Sequence, residues 1–157
     1  MMIELLIMDS ATLRRAAAYL HDAVFESENI RYAKDTNTIT IPLWREMYEH
    51  TTSKRVFLFL YRWRAPHRRC ILVLKNVESC TVRVTDALDH YQVTGINFNE
   101  SAHELKIETA CCIDILLKAN RLEGSLCDLE EETTEHFSKT TLSFSAFKVK
   151  RVDQLER

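Results

Sequence analysis

The chain has 157 residues, 46% of them apolar and 28% charged, with a formal net charge of -2. That length suits a single domain burying about two thirds of its unfolded surface without metals or disulfides, and the composition excludes a disordered chain. Only Gly95 and Gly124 are glycine, each alone in a strand-like stretch, which excludes a P-loop or a dinucleotide-binding loop, since both need glycines where backbone meets phosphate.

In chain order, residues 3–8 alternate weakly and predict a first strand. Asp9 or Ser10 offers a side-chain oxygen to the free amides of a helix start. Leu13, Ala16, Ala17, Leu20 and Val24 recur at helical spacing, so a helix is expected over residues 11–25, its apolar stripe covering one face of a sheet. Residues 30–32 and 38–43 flank the turn formers Lys34 to Asn37 and read as a hairpin. Pro42 has no amide to donate to a ladder, which predicts an edge strand or a strand end there. Residues 44–53 have no clean periodicity and read as a loop, with or without a helical turn.

Residues 55–77, RVFLFLYRWRAPHRRCILVLKNV, hold two apolar runs of strand length around Ala65-Pro66-His67-Arg68. A Pro-containing turn that sets Arg64 opposite Arg69 makes this stretch a hairpin, apolar on both faces and therefore central to a covered sheet. Phe57 to Tyr61 and Ile71 to Leu74 are the expected core. Beyond it, residues 79–85 alternate Cys80, Val82 and Val84 with polar partners, a half-buried strand. Residues 93–98 and 104–109 flank Asn99 to Ala102 as another hairpin, with a bulge at Gly95.

Residues 112–118 and 122–129 complete the pattern, the last as a strand or a short helix. An acidic run, residues 130–135, then reads as a solvated linker, and residues 139–149 alternate as an edge strand or a tail. The expected division is a domain over residues 1–130, followed by an acidic linker and basic C-terminal tail over 131–157. The fold expected is α+β: a mostly antiparallel β meander curled into a barrel or split sandwich, with one N-terminal amphipathic helix packed on it.

The start of the chain carries Glu4 and Asp9 in a short apolar run without a basic leader, and no window reaches the roughly 18 apolar residues of a membrane span. A cytoplasmic protein with no membrane partner is expected. Cys70, Cys80, Cys111, Cys112 and Cys127 form an odd set without a CxxC pair, read as reduced thiols acting mostly as small hydrophobes. Cys111 and Cys112 are read as strand neighbours pointing to opposite faces, which argues against a zinc site. Neither metal nor cofactor is expected. No HExxH, GxSxG or EF-hand spacing occurs, and neighbours such as His21 with Asp22, or His90 with Asp86 and Asp89, read as chance pairs on surfaces. No catalytic residue is assigned.

Charge is segregated along the chain. Residues 44–75 hold eight Lys or Arg against two Glu, whereas residues 76–136 hold four basic against thirteen acidic residues. Within the basic part, Arg62, Trp63, Arg64, His67, Arg68 and Arg69 are the candidate binding residues. Guanidiniums interleaved with aromatics contact phosphates while a ring stacks on a base; Arg, Tyr and Trp also anchor protein interfaces. The structural alternative pairs these arginines with the acidic half, Asp128 and Glu130 to Glu132 in particular. Three functional readings follow: a small non-enzymatic interaction module for a protein partner or itself, which the balance favours, a nucleic-acid-binding module, and an enzyme without a candidate mechanism.

Leu20-His21-Asp22-Ala23-Val24 and Leu122-Glu123-Gly124-Ser125-Leu126-Cys127-Asp128-Leu129 resemble the start and end of a family of short bacterial, mainly alphaproteobacterial, proteins of unknown function. The resemblance covers about residues 3–129 and departs at Ala110-Cys111-Cys112, where that family has a glycine pair. It implies a free-standing bacterial domain and brings no activity or catalytic residues.

Overall fold

The computed structural model describes residues 2–57 and 60–142, and of residues 56, 57, 60–64 and 130–142 the backbone alone. The chain divides into two compact units. Met1–Glu46 with Arg68–Glu132 form the first, and Met47–His67 with Thr133–Arg157 the second.

The first unit starts with β1 (Glu4–Ile7) and α1 (Ser10–Leu20). Asp9 caps α1: its Oδ1 accepts the Thr12 amide at 2.7 Å, while the Asp9 amide donates to Thr12 Oγ1 at 3.0 Å. Leu13, Ala16 and Leu20 are the buried stripe, and α1 packs on β1 and on two further strands, β4 (Thr38–Glu46) and β8 (Tyr91–Asn99). The helix ends five residues earlier than its periodicity suggests. Asp22 adopts a φ of 66°, and its amide donates to Val93 O at 2.9 Å. Val24 and Phe25 then leave the helix to form β2 (Val24–Phe25), bridging Trp44 of β4 and Gln92 and Tyr91 of β8. Sheet pairing that buries Phe25 against Tyr91 outweighs one more helical turn.

β3 (Arg31–Ala33) pairs with β4 in the expected hairpin, but Pro42 neither ends β4 nor lies on an edge strand. It falls in the gap between the β3 ladder, which reaches Thr40, and the bridge to β2 at Trp44, so none of the described pairs on that side asks for its missing amide. β4 buries Ile39, Ile41, Leu43 and Arg45 in strict alternation. Residues 44–46 are therefore strand rather than loop, and a 3-10 turn follows at Tyr48–His50.

The expected turn at Ala65–Arg68 does not form. β5 (Thr52–Phe57) pairs antiparallel with β6 (Leu60–Leu74), with Thr52 opposite Arg64 and Phe57 opposite Leu60. Both members of the Phe57–Leu60 pair belong to the first apolar run, and β6, 15 residues long, passes through Ala65-Pro66-His67-Arg68 without a turn. Pro66 is tolerated where the β5 ladder has ended at Arg64; its carbonyl accepts the Met47 amide at 2.9 Å. Pro42 lies between two partners of β4 and Pro66 beyond the end of the β5 ladder, positions a breaker signal cannot distinguish from turns. Of the expected core, Leu72 and Leu74 are buried and Ile71 and Val73 half-buried; the side chains of residues 57–61 lie outside the description.

β7 (Val77–Val84), β8, β9 (Glu104–Thr109) and β10 (Ile113–Ala119) follow, with a register shift at Gly95 as expected. β11 is strand, not helix, and runs Gly124–Leu142 through the acidic run expected to be a linker. The domain boundary expected after residue 130 falls inside it, and residues 143–157 lie outside the description. The ladder order is β1-β11-β6-β4-β2-β8-β9-β10-β7, with β3 on β4 and β5 on β6. The fold is α+β and mostly antiparallel, and among the described residues β7 does not close onto β1, so the sheet is open rather than a barrel. In the first unit Ile39, Ile41, Leu72 and Leu74 share one core with Leu105, Ile107, Ile115 and Leu117, as the two halves of a split sandwich do.

Candidate functional site

The six residues singled out by sequence do not share one environment. Arg62, Trp63 and Arg64 lie on β6 opposite Lys54, Ser53 and Thr52, and their side chains are outside the description. His67 is half-buried. Arg68 and Arg69, in the first unit, are neighbours with different surroundings. Arg68 is only 4% exposed, in alternation with buried Cys70, Leu72 and Leu74. Arg69 is half-buried, with its guanidinium 5.1 Å from the centre of the Trp44 ring, in cation–π range.

Arg68 contributes to a buried charge cluster that the sequence only hinted at. Arg45 is fully buried; its Nε donates to Asp128 Oδ1 at 2.8 Å and its Nη2 to Asp128 Oδ2 at 2.7 Å. Asp128 Oδ2 also accepts the Ile3 amide at 2.8 Å, and Ile3 O accepts the Asp128 amide at 2.8 Å. The Arg45 guanidinium lies 5.7 Å from the Tyr19 ring centre, so one side chain ties α1, β4, β11 and the entry to β1 together. Burial pushes the Asp128 carboxyl up, but the Arg45 and Ile3 hydrogen bonds and the charges of Arg45 and Arg68 outweigh it and hold the group below its ordinary value. Arg68 adds its charge to the surroundings of this carboxylate from a position that is itself buried. Nearby, burial pushes the Cys70 thiol up to about 12, which leaves it an inert hydrophobe.

Other candidates resolve in the same way. Cys111 and Cys112 sit in the turn between β9 and β10, not on a strand; Cys112 has a φ of 65° and its Sγ donates to Asp86 Oδ2 at 3.8 Å. Among the described residues no three His, Cys, Asp or Glu side chains gather as a metal site. His21 Nδ1 is 3.1 Å from Asp22 Oδ2, whereas His90 is nearest Glu26, at 3.7 Å, rather than Asp86 or Asp89. A small recess, with room for little more than a water molecule, is lined by Leu74, Val77, Leu105, Leu117 and Leu122 together with Lys75, Arg121 and Glu123. Glu123 already binds Arg121 at 2.9 Å and Asn76 at 3.0 Å, which spends the polar side of that recess on itself.

What the sequence did not signal is where apolar surface remains exposed. Among the described residues the exposed large hydrophobics are Met2, Leu6, Met8, Tyr48, Val82, Val84 and Leu88. All but Tyr48 lie on, or within four residues of, β1 and β7, the two ends of the ladder order. Alternation revealed that Cys80, Val82 and Val84 share a face, but not that the strand bearing them ends a sheet. No protein-family model, no curated protein and no solved structure matches the chain. No helix among the described residues is long and apolar enough to cross a membrane.

Proposed function

We propose that the protein is a small non-enzymatic interaction module that binds a protein partner, itself included, through the open ends of its sheet. The observation that supports this is the concentration of exposed apolar side chains at β1 and β7, with Leu6 64% and Val84 46% exposed. Unpaired strand edges with apolar side chains are templates for another strand. Leu6→Lys and Val84→Lys, singly and together, test the reading. The wild-type chain should form a complex of defined stoichiometry, seen as mass in light scattering. The double variant should keep its melting temperature and lose the complex. A wild type that stays monomeric and retains no stoichiometric partner overturns the reading.

A second reading, nucleic-acid binding, draws on the second unit. Its β5–β6 ladder sets Lys54 opposite Arg62 and Arg55 opposite Tyr61, and Met47–His67 carries four Lys or Arg against Glu49 alone. Like charges opposed across strands are destabilising unless an anion neutralises them. Titration of labelled single-stranded RNA and DNA across a salt series should show affinity falling as salt rises, with a shallower slope for Lys54→Ala and Arg62→Ala. Equal binding by wild type and variants removes it.

A further inference from the structure

The backbone of β7 has two different edges, and one hydrogen bond assigns them. The Thr85 amide donates to Cys112 O at 2.8 Å, in line with the register that sets Val84 opposite Ile113 and Arg83 opposite Asp114. In an antiparallel ladder the amide and carbonyl of one residue point to the same side, and successive residues alternate. Ser79, Thr81 and Arg83 therefore bond inward to β10. Cys80, Val82 and Val84 point their amides and carbonyls to the open side, where the ladder order ends and the described residues supply no further strand.

The same three residues carry the apolar side chains of this edge. They stand opposite Leu117, Ile115 and Ile113, all buried, yet Val82 is 38% and Val84 46% exposed because no further strand extends the core beyond them. Natural edges are blunted by outward Lys, by Pro, or by bulges. Here the register shift lies at the far end, between Lys118 and Ala119, and the Val77 amide is taken by Asn37 O at 2.8 Å. From Cys80 to Val84 none of these devices occurs at an outward-pointing position.

We propose that β7 pairs antiparallel with β7 of a second copy, about a two-fold axis at Thr81 or Val82, so that the two sheets become one. An isologous contact of this kind requires a strand that tolerates itself. With the axis at Thr81, Cys80 faces Val82 of the second copy and Ser79 faces Arg83; with the axis at Val82, Cys80 faces Val84 and Thr81 faces Arg83. From Cys80 to Val84 neither register opposes like charges; the Val82 axis covers both exposed valines with apolar side chains of the same strand, whereas the Thr81 axis covers Val82 and sets Val84 against Glu78. That self-matching favours a second copy over a foreign strand. The inference rests on the interaction-module reading and names its partner.

Hydrogen exchange of the full chain at low and high protein concentration tests it directly. Thr81 and Arg83 amides should be protected at every concentration, whereas Cys80, Val82 and Val84 amides should become protected only as the dimer fills. Fast exchange of those three at all concentrations overturns the proposal. In light scattering, Val82→Pro removes an outward amide without touching the β10 ladder and should lose the dimer, as should Val84→Lys, which covers the case in which the proline variant fails to fold. A dimer that survives both changes but is lost in Leu6→Lys places association at β1; the inference then fails while the interaction-module reading stands. A wild-type monomer that retains a different protein stoichiometrically likewise overturns the inference and leaves that reading in place.

Discussion

Two groups of cations, close in sequence, meet opposite fates in this molecule. In the first unit Arg45 and Arg68 are buried, and Arg45 holds the Asp128 carboxylate, which also accepts the Ile3 amide. On β5 and β6 in the second unit, Lys54 is exposed and set opposite Arg62, with Arg55 beside it. Arg45 of the first group is paired within its own fold, and loss of its carboxylate should be felt as lost stability. In the second, register opposes Lys54 to Arg62, and relief of that opposition should be felt as gained stability. A run of arginines is thus not one site; burial and register decide, residue by residue, whether a cation is scaffold or surface.

The largest effect should come from breaking the buried cluster. Asp128→Ala leaves Arg45 uncompensated in the core and should cost about 3–5 kcal/mol in urea unfolding, with the Ile3 amide and the β1–β11 ladder losing exchange protection first. A loss well under 1 kcal/mol would mean that water reaches Arg45 and that the cluster is not scaffold. Acid should have a related, smaller effect. Because the folded-state value of Asp128 lies below its unfolded value, its contribution is present above the unfolded value and is lost as pH falls through the folded one. Subtracting the unfolding curves of Asp128→Asn from those of the wild type across acid pH isolates that loss; parallel curves would assign the acid transition to other carboxylates. The smallest effect should come from the second group: Lys54→Glu opposite Arg62 should stabilise the chain by about 0.2–1 kcal/mol and shift its melting point upward. No gain would show that the pair is already neutralised, β11 being the neighbouring strand of β6.

Much of the fold was legible because alternation and turn chemistry are local. The β3–β4 and β8–β9 hairpins, the Asp9 cap and the bulge at Gly95 all follow from a few adjacent residues. Structure departs from expectation where a local signal has a non-local answer. Pro42 and Pro66 look like strand breakers, yet Pro42 lies between the β3 and β2 pairings of β4 and Pro66 beyond the end of the β5 ladder, places that only the topology creates. Val24 fits the helical stripe, yet β4 and β8 offer it a place between them. Arg45 continues the alternation of Ile39, Ile41 and Leu43 past the expected end of the strand, because a carboxylate 83 positions away, which no local signal reveals, holds it inward. The candidate surface at β7 was unreadable for the same reason: being last in a sheet is a property of the other strands.

Gly124 has a role beyond flexibility. A Cβ built there would come within 2.3 Å of Val73 O and 3.0 Å of the Leu74 side chain, so β11 and β6 approach at this point more closely than any other residue permits. The 19-residue strand β11 repeats every second residue and by itself has little to stop it from sliding along its neighbour. The contact at Gly124 acts as an index mark. Slippage by two residues would keep the inside-outside alternation but bring Leu122 or Leu126 to the Val73 carbonyl, where neither side chain has room, so the long strand is fixed in one position by a residue at its very beginning.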